Sequence, residues 1–327
     1  MGIRVGYLVL AGYNKKKSGD LYILLNERFY DETYLSDFQI PKSAFPFYDC
    51  KPLAQKAVDA AKNTEYAGPI VVVGDKELLE KGLTIREISG YLKMLKHNKK
   101  TISMFIKKNN LYKGSQGVTG VDEIIEQGDA YGTNIKIGLE NLLDKGCSKA
   151  VVLLGDSPKI SSGLVNALIK ENNEDYVLNF PVVAYESGLK KYRPGMGLLI
   201  DKKLYKTRVV NSAIVNLENV DMGTITKATD RISYAYKCRK VANPVNWFRL
   251  ANFFGGELLY HIFKGLKGGF IKEEVEDYIS KKLGVSFRIL PLMSEEAIQA
   301  EHDIDSFKDA RKAIKEQTRN KARGHAV

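Results

Sequence analysis

"KAVVLLGDSPKISSGLVNAL", residues 149–168, contains the transition that decides the fold. An apolar run predicts a buried strand, and the segment that opens with serines predicts an amphipathic helix. Asp156 stands where the strand ends. It could cap the following helix, as Ser157, Ser161 or Ser162 could, or it could bind a metal ion at the edge of a parallel sheet. The pattern of this stretch leaves both interpretations open.

The same alternation of strand and helix extends through the first half of the chain. Strands are predicted at 4–12, 68–76 and 149–157. Helices are predicted at 51–63, 84–98, 137–146 and 161–173. Continuous apolar strands separated by helices predict an α/β fold, a three-layer α/β/α Rossmann-like sheet that is mostly parallel. Ligands of such sheets bind beyond the carboxyl ends of the strands, where Gly12, Gly74 and Asp156 fall.

The second half of the chain has a different pattern. Mixed, partly antiparallel strands are predicted at 180–188 and 194–216, a late strand at 285–292, and helices at 243–266, 272–284 and 305–322. No linker rich in Pro, Gly or Ser separates the two halves. We therefore predict a single domain, 1–327, with an elaborated C-terminal part.

The cysteines, the histidines and the length of the apolar runs indicate where the protein is located and which classes of site it lacks. Three cysteines, far apart, and four scattered histidines give neither a disulfide framework nor a zinc spacing, which favours a reducing, cytoplasmic location. The apolar runs are much shorter than a membrane span, so we expect no transmembrane segment. Segment 246–263 could form a homodimer face, although an internal core is the preferred interpretation.

The net charge of +11 suggests a polyanionic partner. The excess is local, in Lys15–Lys17 and in the C-terminal tail, where Phe307 is the one aromatic residue. Nucleic-acid binding favours aromatic residues interleaved with basic ones, so we expect no nucleic-acid partner. A solvated helix face is the simpler reading of the tail.

Two further features could contribute to chemistry. Lys42 lies in a loop before a helix, where its charge could stabilise a transferred phosphoryl group. Asp303 and Asp305 flank Ile304, so on an extended segment they share one face and could hold a cation, although Asp305 could equally cap the last helix. Neither GxGxxG nor GxxxxGK[ST] is present.

The order of these motifs resembles the nucleotidyltransferases of the nucleotide-diphospho-sugar transferase (GT-A-like) fold. Within that fold, the sequence is similar to the molybdenum-cofactor guanylyltransferase-like NTP transferases. The resemblance rests on a first strand ending in "LAG" and on the segments "PKSAFPFYDCKPLAQKAVDAA", "PIVVVGD", "EQGDAYGTNIKIGLENL", "VVLLGDSPKISSGLVNALI" and "DIDSFKDA". It spans nearly the whole chain.

The resemblance implies a role for each matching residue. Leu10, Ala11 and Gly12 would line the base and phosphates, Lys42 would stabilise charge at the α-phosphate, Gly132 and Thr133 would contact the nucleoside, and Asp156 with Asp303 or Asp305 would coordinate Mg²⁺. Asn211 and the pair Arg239–Lys240 match positions of the acceptor region. Residues 1–175 would then be the nucleotide-binding half, 176–310 the acceptor-binding half, and 311–327 a basic helix or tail.

The implied function is Mg²⁺-dependent transfer of a nucleoside monophosphate from an NTP to a small phosphorylated acceptor, with release of pyrophosphate. Two alternatives remain at this point. One is a glycosyltransferase of the same fold, against which the single Asp of "GDSP" counts. The other is a non-catalytic relative that binds a nucleotide or an acidic partner.

Overall fold

The computed structural model describes residues 4–12, 42–47, 50–94, 97–186, 196–210, 212–218, 220–238, 255–257, 260, 269–294, 297 and 312–315. Within these ranges the strands are β1 (Val5–Ala11), β2 (Ile70–Gly74), β3 (Glu123–Glu126), β4 (Lys149–Leu154), β5 (Leu178–Glu186), β6 (Met196–Ile200), β7 (Lys203–Val209), β8 (Ser212–Asn216), β9 (Phe270–Ile271) and β10 (Phe287–Leu292). The described helices are α1 (Ala54–Lys62), α2 (Lys76–Lys81), α3 (Ile85–Met94), α4 (Lys99–Lys108), α5 (Tyr131–Asp144), α6 (Ser162–Glu171), α7 (Met222–Cys238) and α8 (Lys272–Leu283), with a 3₁₀ helix at Lys42–Ala44.

All these strands belong to one sheet, in the order β3-β2-β1-β4-β8-β5-β7-β6-β9, with β10 paired to β5. Strands β3, β2, β1 and β4 are parallel, whereas β8 is antiparallel to both β4 and β5. The predicted α/β class is confirmed, and so is the change to mixed strands in the second half.

Alternate side chains of the central strands build two cores, one on each face of the sheet. Val5, Tyr7 and Val9 of β1 pack with apolar residues of α1 and α6, a cluster we call the α1/α6 core. Leu8 and Leu10 point to the other face and pack with residues of α5, α7 and α8, the α5 core. Both faces are covered by helices, which explains why the strands read as continuous apolar runs.

A third buried group, which we call the aromatic cluster, lies apart from the two faces. It contains Phe45 and Phe47 together with Tyr91 of α3 and Phe105 of α4. Ala313 and Ile314, from the four-residue C-terminal stretch that the structure describes as helix, are buried in the same cluster. The rest of the predicted closing helix, 305–322, and the predicted helix 243–266 lie outside the described residues, apart from 255–257 and 260.

Several element boundaries differ from the predicted ones. The predicted helix 84–98 ends at Met94 as described, and Asn98 caps a separate helix by accepting a hydrogen bond from the Thr101 N–H at 2.8 Å. The predicted helix 137–146 begins earlier in the structure, at Tyr131 of α5. Gly132 and Asn134 in its first turn are weak helix formers, so the sequence pattern did not reveal this turn. The four-residue strand β3 was not predicted.

Two of the three cysteines have described side chains, and both are free thiols there. Cys147 is buried in the α5 core, and this burial raises the pKa of its thiol. Among the described helices, none combines the length and the apolar character that a membrane span requires.

Candidate active site

The segment that carries Lys42 is held between the aromatic cluster and the end of β1. The rings of Phe45 and Tyr91 lie 4.2 Å apart between centroids, and Phe45 and Phe47 lie 4.8 Å apart. The Ser43 hydroxyl donates to the Ala11 carbonyl at 2.5 Å. These contacts fix the 3₁₀ helix against the carboxyl edge of the sheet, so that Lys42 projects from an anchored backbone.

Lys42 and Asp156, which are 114 positions apart in sequence, meet at this edge. The Lys42 Nζ lies 2.7 Å from the Asp156 Oδ2, and their side chains are 7% and 22% exposed. An ammonium and a carboxylate withdrawn from water to this extent must compensate each other's charge. The structure therefore brings together the two residues that the sequence analysis proposed for charge stabilisation and metal binding.

Asp156 is not the cap of the following helix. Helix α6 is capped by Ser161, whose hydroxyl accepts a hydrogen bond from the Leu164 N–H at 3.2 Å. Asp156 instead follows Gly155, whose N–H donates to the Leu10 carbonyl at 2.9 Å and so ties the turn to β1. Of the two interpretations left open by the sequence, the capping role is excluded.

The second carboxylate oxygen of Asp156 could serve a cation. Its Oδ1 is buried and has no hydrogen-bond partner among the residues that the structure describes. A hard oxygen donor of this kind suits Mg²⁺, which usually takes one or two carboxylates and completes its shell with phosphates and water. No cluster of three or more His, Cys, Asp or Glu side chains with metal-binding geometry occurs in the described ranges. The Asp156 Oδ1 therefore fits one ligand position of a Mg²⁺ ion whose other ligands would include phosphate oxygens and water.

The strand ends beside Asp156 form a continuous edge. Leu10 pairs with Leu154, and Ala11 pairs with Gly74, so the ends of β1, β2 and β4 lie side by side. The side chains of Leu10 and Ala11 are buried in the two opposite cores. Only their backbone is therefore placed to line a ligand.

Gly12 lies against two polar side chains that the sequence analysis did not single out. A Cβ on Gly12 would stand 2.5 Å from the Gln127 Oε1 and 2.6 Å from the Asn134 Nδ2. Both side chains are buried, at 7% and 6% exposure, and the Gly128 N–H donates to the Asn134 Oδ1 at 2.8 Å. Their one sequence signal is their position, directly after β3 and in the first turn of α5.

Gly132 and Thr133 lie in the first turn of α5, with Gly132 buried and Thr133 exposed. The first N–H groups of a helix lack intrahelical partners and carry partial positive charge, which suits a polar or anionic ligand. A Cβ on Gly128 would stand 2.6 Å from the Thr133 Cγ2, so this turn packs closely on the loop after β3. The structure thereby places Gly12 and the start of α5 around the same two amide side chains.

Several predicted residues lie outside the described part of the chain. They are Lys15–Lys17, Asn211, Arg239, Lys240, Asp303 and Asp305. The described part of the site thus has two components. One is the Lys42–Asp156 pair. The other, which we call the pocket edge, consists of Gly12, Gln127 and the first turn of α5 with Asn134.

No protein-family model and no curated protein matches the chain. Solved structures do match. A hypothetical transferase from Thermus thermophilus is 17% identical with a TM-score of 0.57, over 94% of this chain and 100% of that one. A CMP:2-keto-3-deoxy-manno-octonic acid synthetase complexed with CTP is 10% identical with a TM-score of 0.46, over 98% and 100%.

A 4-diphosphocytidyl-2C-methyl-D-erythritol synthase from Anaerococcus prevotii is 10% identical with a TM-score of 0.42, over 97% of each chain. At identities this low the likeness concerns the fold alone. Of the three, the Thermus structure superposes well enough to show a shared fold, and the match extends over 94% of this chain.

Proposed function

We propose that the protein is a Mg²⁺-dependent nucleotidyltransferase, which transfers a nucleoside monophosphate from an NTP to a small phosphorylated acceptor and releases pyrophosphate. The observation that carries the proposal is the buried Lys42–Asp156 pair at the carboxyl edge of the parallel strands, with one carboxylate oxygen left over. The fold shared with a protein described as a transferase supports an enzyme, although a fold alone does not specify the reaction.

Different residues at the carboxyl edge of the sheet would bind different parts of the substrates. Gly12 and the first turn of α5, with Gly132 and Thr133, would hold the nucleoside, and the adjacent Gln127 and Asn134 amides could hydrogen-bond to it. We assign the nucleotide to residues 1–175 and the acceptor to 176–310, with 311–327 as a basic tail. The scattered cysteines support a cytoplasmic enzyme, and a homodimer through 246–263 stays a prediction.

In the reaction, an oxygen of the acceptor phosphate attacks the α-phosphorus of the NTP. The new phosphorus–oxygen bond forms as the bond to the β-phosphate oxygen breaks, and pyrophosphate leaves with the electron pair. The attacking oxygen is already anionic, so no strong general base is required. Positioning and charge stabilisation are then the main tasks of the chain, and Lys42 is the buried cation available for them.

Asp156, together with Asp303 or Asp305, would hold Mg²⁺. When bound, the ion would neutralise charge on the triphosphate and on the leaving pyrophosphate. Asp156 would then serve two cations at once, through Oδ2 for Lys42 and through Oδ1 for the metal.

The test is pyrophosphate release from each of the four NTPs with Mg²⁺ and a pool of phosphorylated acceptors. Asp156→Asn keeps the size of the side chain and removes its charge, and we expect at least about 100-fold slower release. The control is Asp144→Asn at the exposed end of α5, which should release pyrophosphate at the wild-type rate. Free UDP or GDP from a nucleotide-sugar, without pyrophosphate from NTPs, would indicate the glycosyltransferase. Nucleotide binding that is independent of Mg²⁺ and without turnover would indicate the non-catalytic relative.

A further inference from the structure

Strand β8 pairs with β4 up to a position shortly before Asp156. Ser212, the first residue of β8, pairs with Leu153, three positions before Asp156. Strand β7, which precedes β8 in the chain, lies beyond the last paired residue of β4 and pairs with β5, where Arg208 is opposite Val183. The chain around Arg208 therefore extends the sheet beyond the strand that carries the proposed metal ligand.

A bulge separates β7 from β8, between Val209 and Ile214. Val209 pairs with Val182 and Ile214 with Asn179, so five steps along β7–β8 span only three steps along β5. The Ser212 N–H turns back to donate to the Val210 carbonyl at 2.7 Å. Bulges of this kind re-aim side chains and are frequent beside active sites.

Two basic side chains and Ser212 share one face of this extension. Opposite residues of an antiparallel pair project to the same side of the sheet. Arg208 and Lys206 are opposite Val183 and Tyr185, and Ser212 is opposite Leu153; these three partners all belong to the α1/α6 core. Arg208 and Lys206 are partly exposed.

Two buried hydroxyls flank the end of β4. Ser212 is 6% exposed, and Ser157, which directly follows Asp156, is 2% exposed. Neither Oγ has a hydrogen-bond partner within the described ranges. Buried polar groups are nearly always hydrogen-bonded, so two such hydroxyls around one strand end indicate a ligand that supplies the missing partners.

We propose that Arg208 and Lys206 bind the phosphate of the acceptor, and that Ser212 and Ser157 bind oxygens of the acceptor next to it. Guanidinium presents paired donors that match phosphate oxygens, and the adjacent ammonium adds the second charge that a phosphate dianion needs. The inference rests on the proposed function, because it assigns the acceptor side of that reaction. It also gives the mixed sheet of the second half a binding role.

The test uses inorganic phosphate as the probe, with the nucleotide site filled by a non-hydrolysable α,β-methylene NTP and Mg²⁺. Calorimetry of the full chain should give a phosphate dissociation constant that rises about tenfold or more in Arg208→Gln and in Lys206→Gln. Nucleotide affinity should stay within about twofold of wild type, because these side chains lie on the acceptor side. Arg86→Gln on the exposed face of α3 removes the same charge elsewhere and should change neither constant.

Equal phosphate affinity in Arg208→Gln and Arg86→Gln, or no saturable binding of phosphate to the wild type, would overturn the assignment. Failure of the proposed function gives a different pattern. If no NTP releases pyrophosphate and phosphate affinity still falls in Arg208→Gln, the anion site stands and the reaction is wrong. If pyrophosphate release is intact and the KM for the acceptor is the same in Arg208→Gln as in wild type, the reaction stands and the site is wrong.

Discussion

Removing the charge of Lys42 should destabilise the protein more than removing a comparable surface lysine. Lys42→Met keeps most of the side-chain length and leaves Asp156 without the ammonium that lies 2.7 Å from its Oδ2. Breaking a buried ion pair from one side costs about 3–5 kcal/mol. Because Asp156 keeps 22% of its side chain exposed, we expect about 2–3 kcal/mol of lost unfolding free energy.

The double variant Lys42→Met/Asp156→Leu should recover most of that loss. It removes both charges, and an apolar pair of similar volume is often neutral or better than the buried ion pair it replaces. The coupling energy between the two sites should therefore be about 2 kcal/mol. Lys42→Met and the double variant should both lose pyrophosphate release. A double variant that is stable but inactive would show that the charges are required for the reaction and not for folding.

The assay is urea unfolding of wild type, the two single variants and the double variant. Lys145→Met is the matched control, since Lys145 pairs with Glu123 at 2.9 Å but the two side chains are 30% and 41% exposed. Exposed pairs contribute about 0–1 kcal/mol, so the control should lose no more than that. The reasoning is refuted if Lys42→Met and Lys145→Met lose equal stability, or if the double variant loses the sum of the two single losses.

Two further predictions concern the pocket edge and the aromatic cluster. Gly12→Ala should weaken nucleotide binding about tenfold by equilibrium titration, because its Cβ would displace the Gln127 and Asn134 side chains; wild-type affinity would remove Gly12 from the site. Ile314→Ala should cost about 2–5 kcal/mol in urea unfolding, because the side chain is fully buried beside Phe45. Lys315→Ala, at an exposed position of the same helix, should lose no more than about 1 kcal/mol, and equal losses in the two would contradict the packing.

The elements that position Asp156 were predictable because local patterns determine them. Strand β4 and helix α6 follow from a β-branched run and an amphipathic stretch, and both agree with the structure. The contact between Lys42 and Asp156 was not predictable from residues alone. The segment around Lys42 has no periodic pattern, and it is placed by the packing of Phe45 and Phe47 on helices later in the chain.

The pocket edge shows the same limit of local information. Gln127 and Asn134 are polar residues in a stretch where the four-residue strand β3 gives almost no periodic signal. They become neighbours of Gly12 only because β3 pairs with β2 and α5 packs on β1. Their role depends on tertiary contacts, so a reading of sequence patterns passes over them.

The burial of Ala313 and Ile314 in one cluster with Phe45 and Phe47 has a consequence for the order in which the candidate site is completed during synthesis. At about 5–20 residues per second, the ribosome adds Ile314 roughly 15–50 s after Phe47. Once Asp156 has been added, the nascent chain contains both proposed catalytic residues, but it lacks part of the packing behind Lys42 until Ile314 follows. The backbone under Lys42 therefore gains its full packing support only after residue 314 has been synthesised and docked.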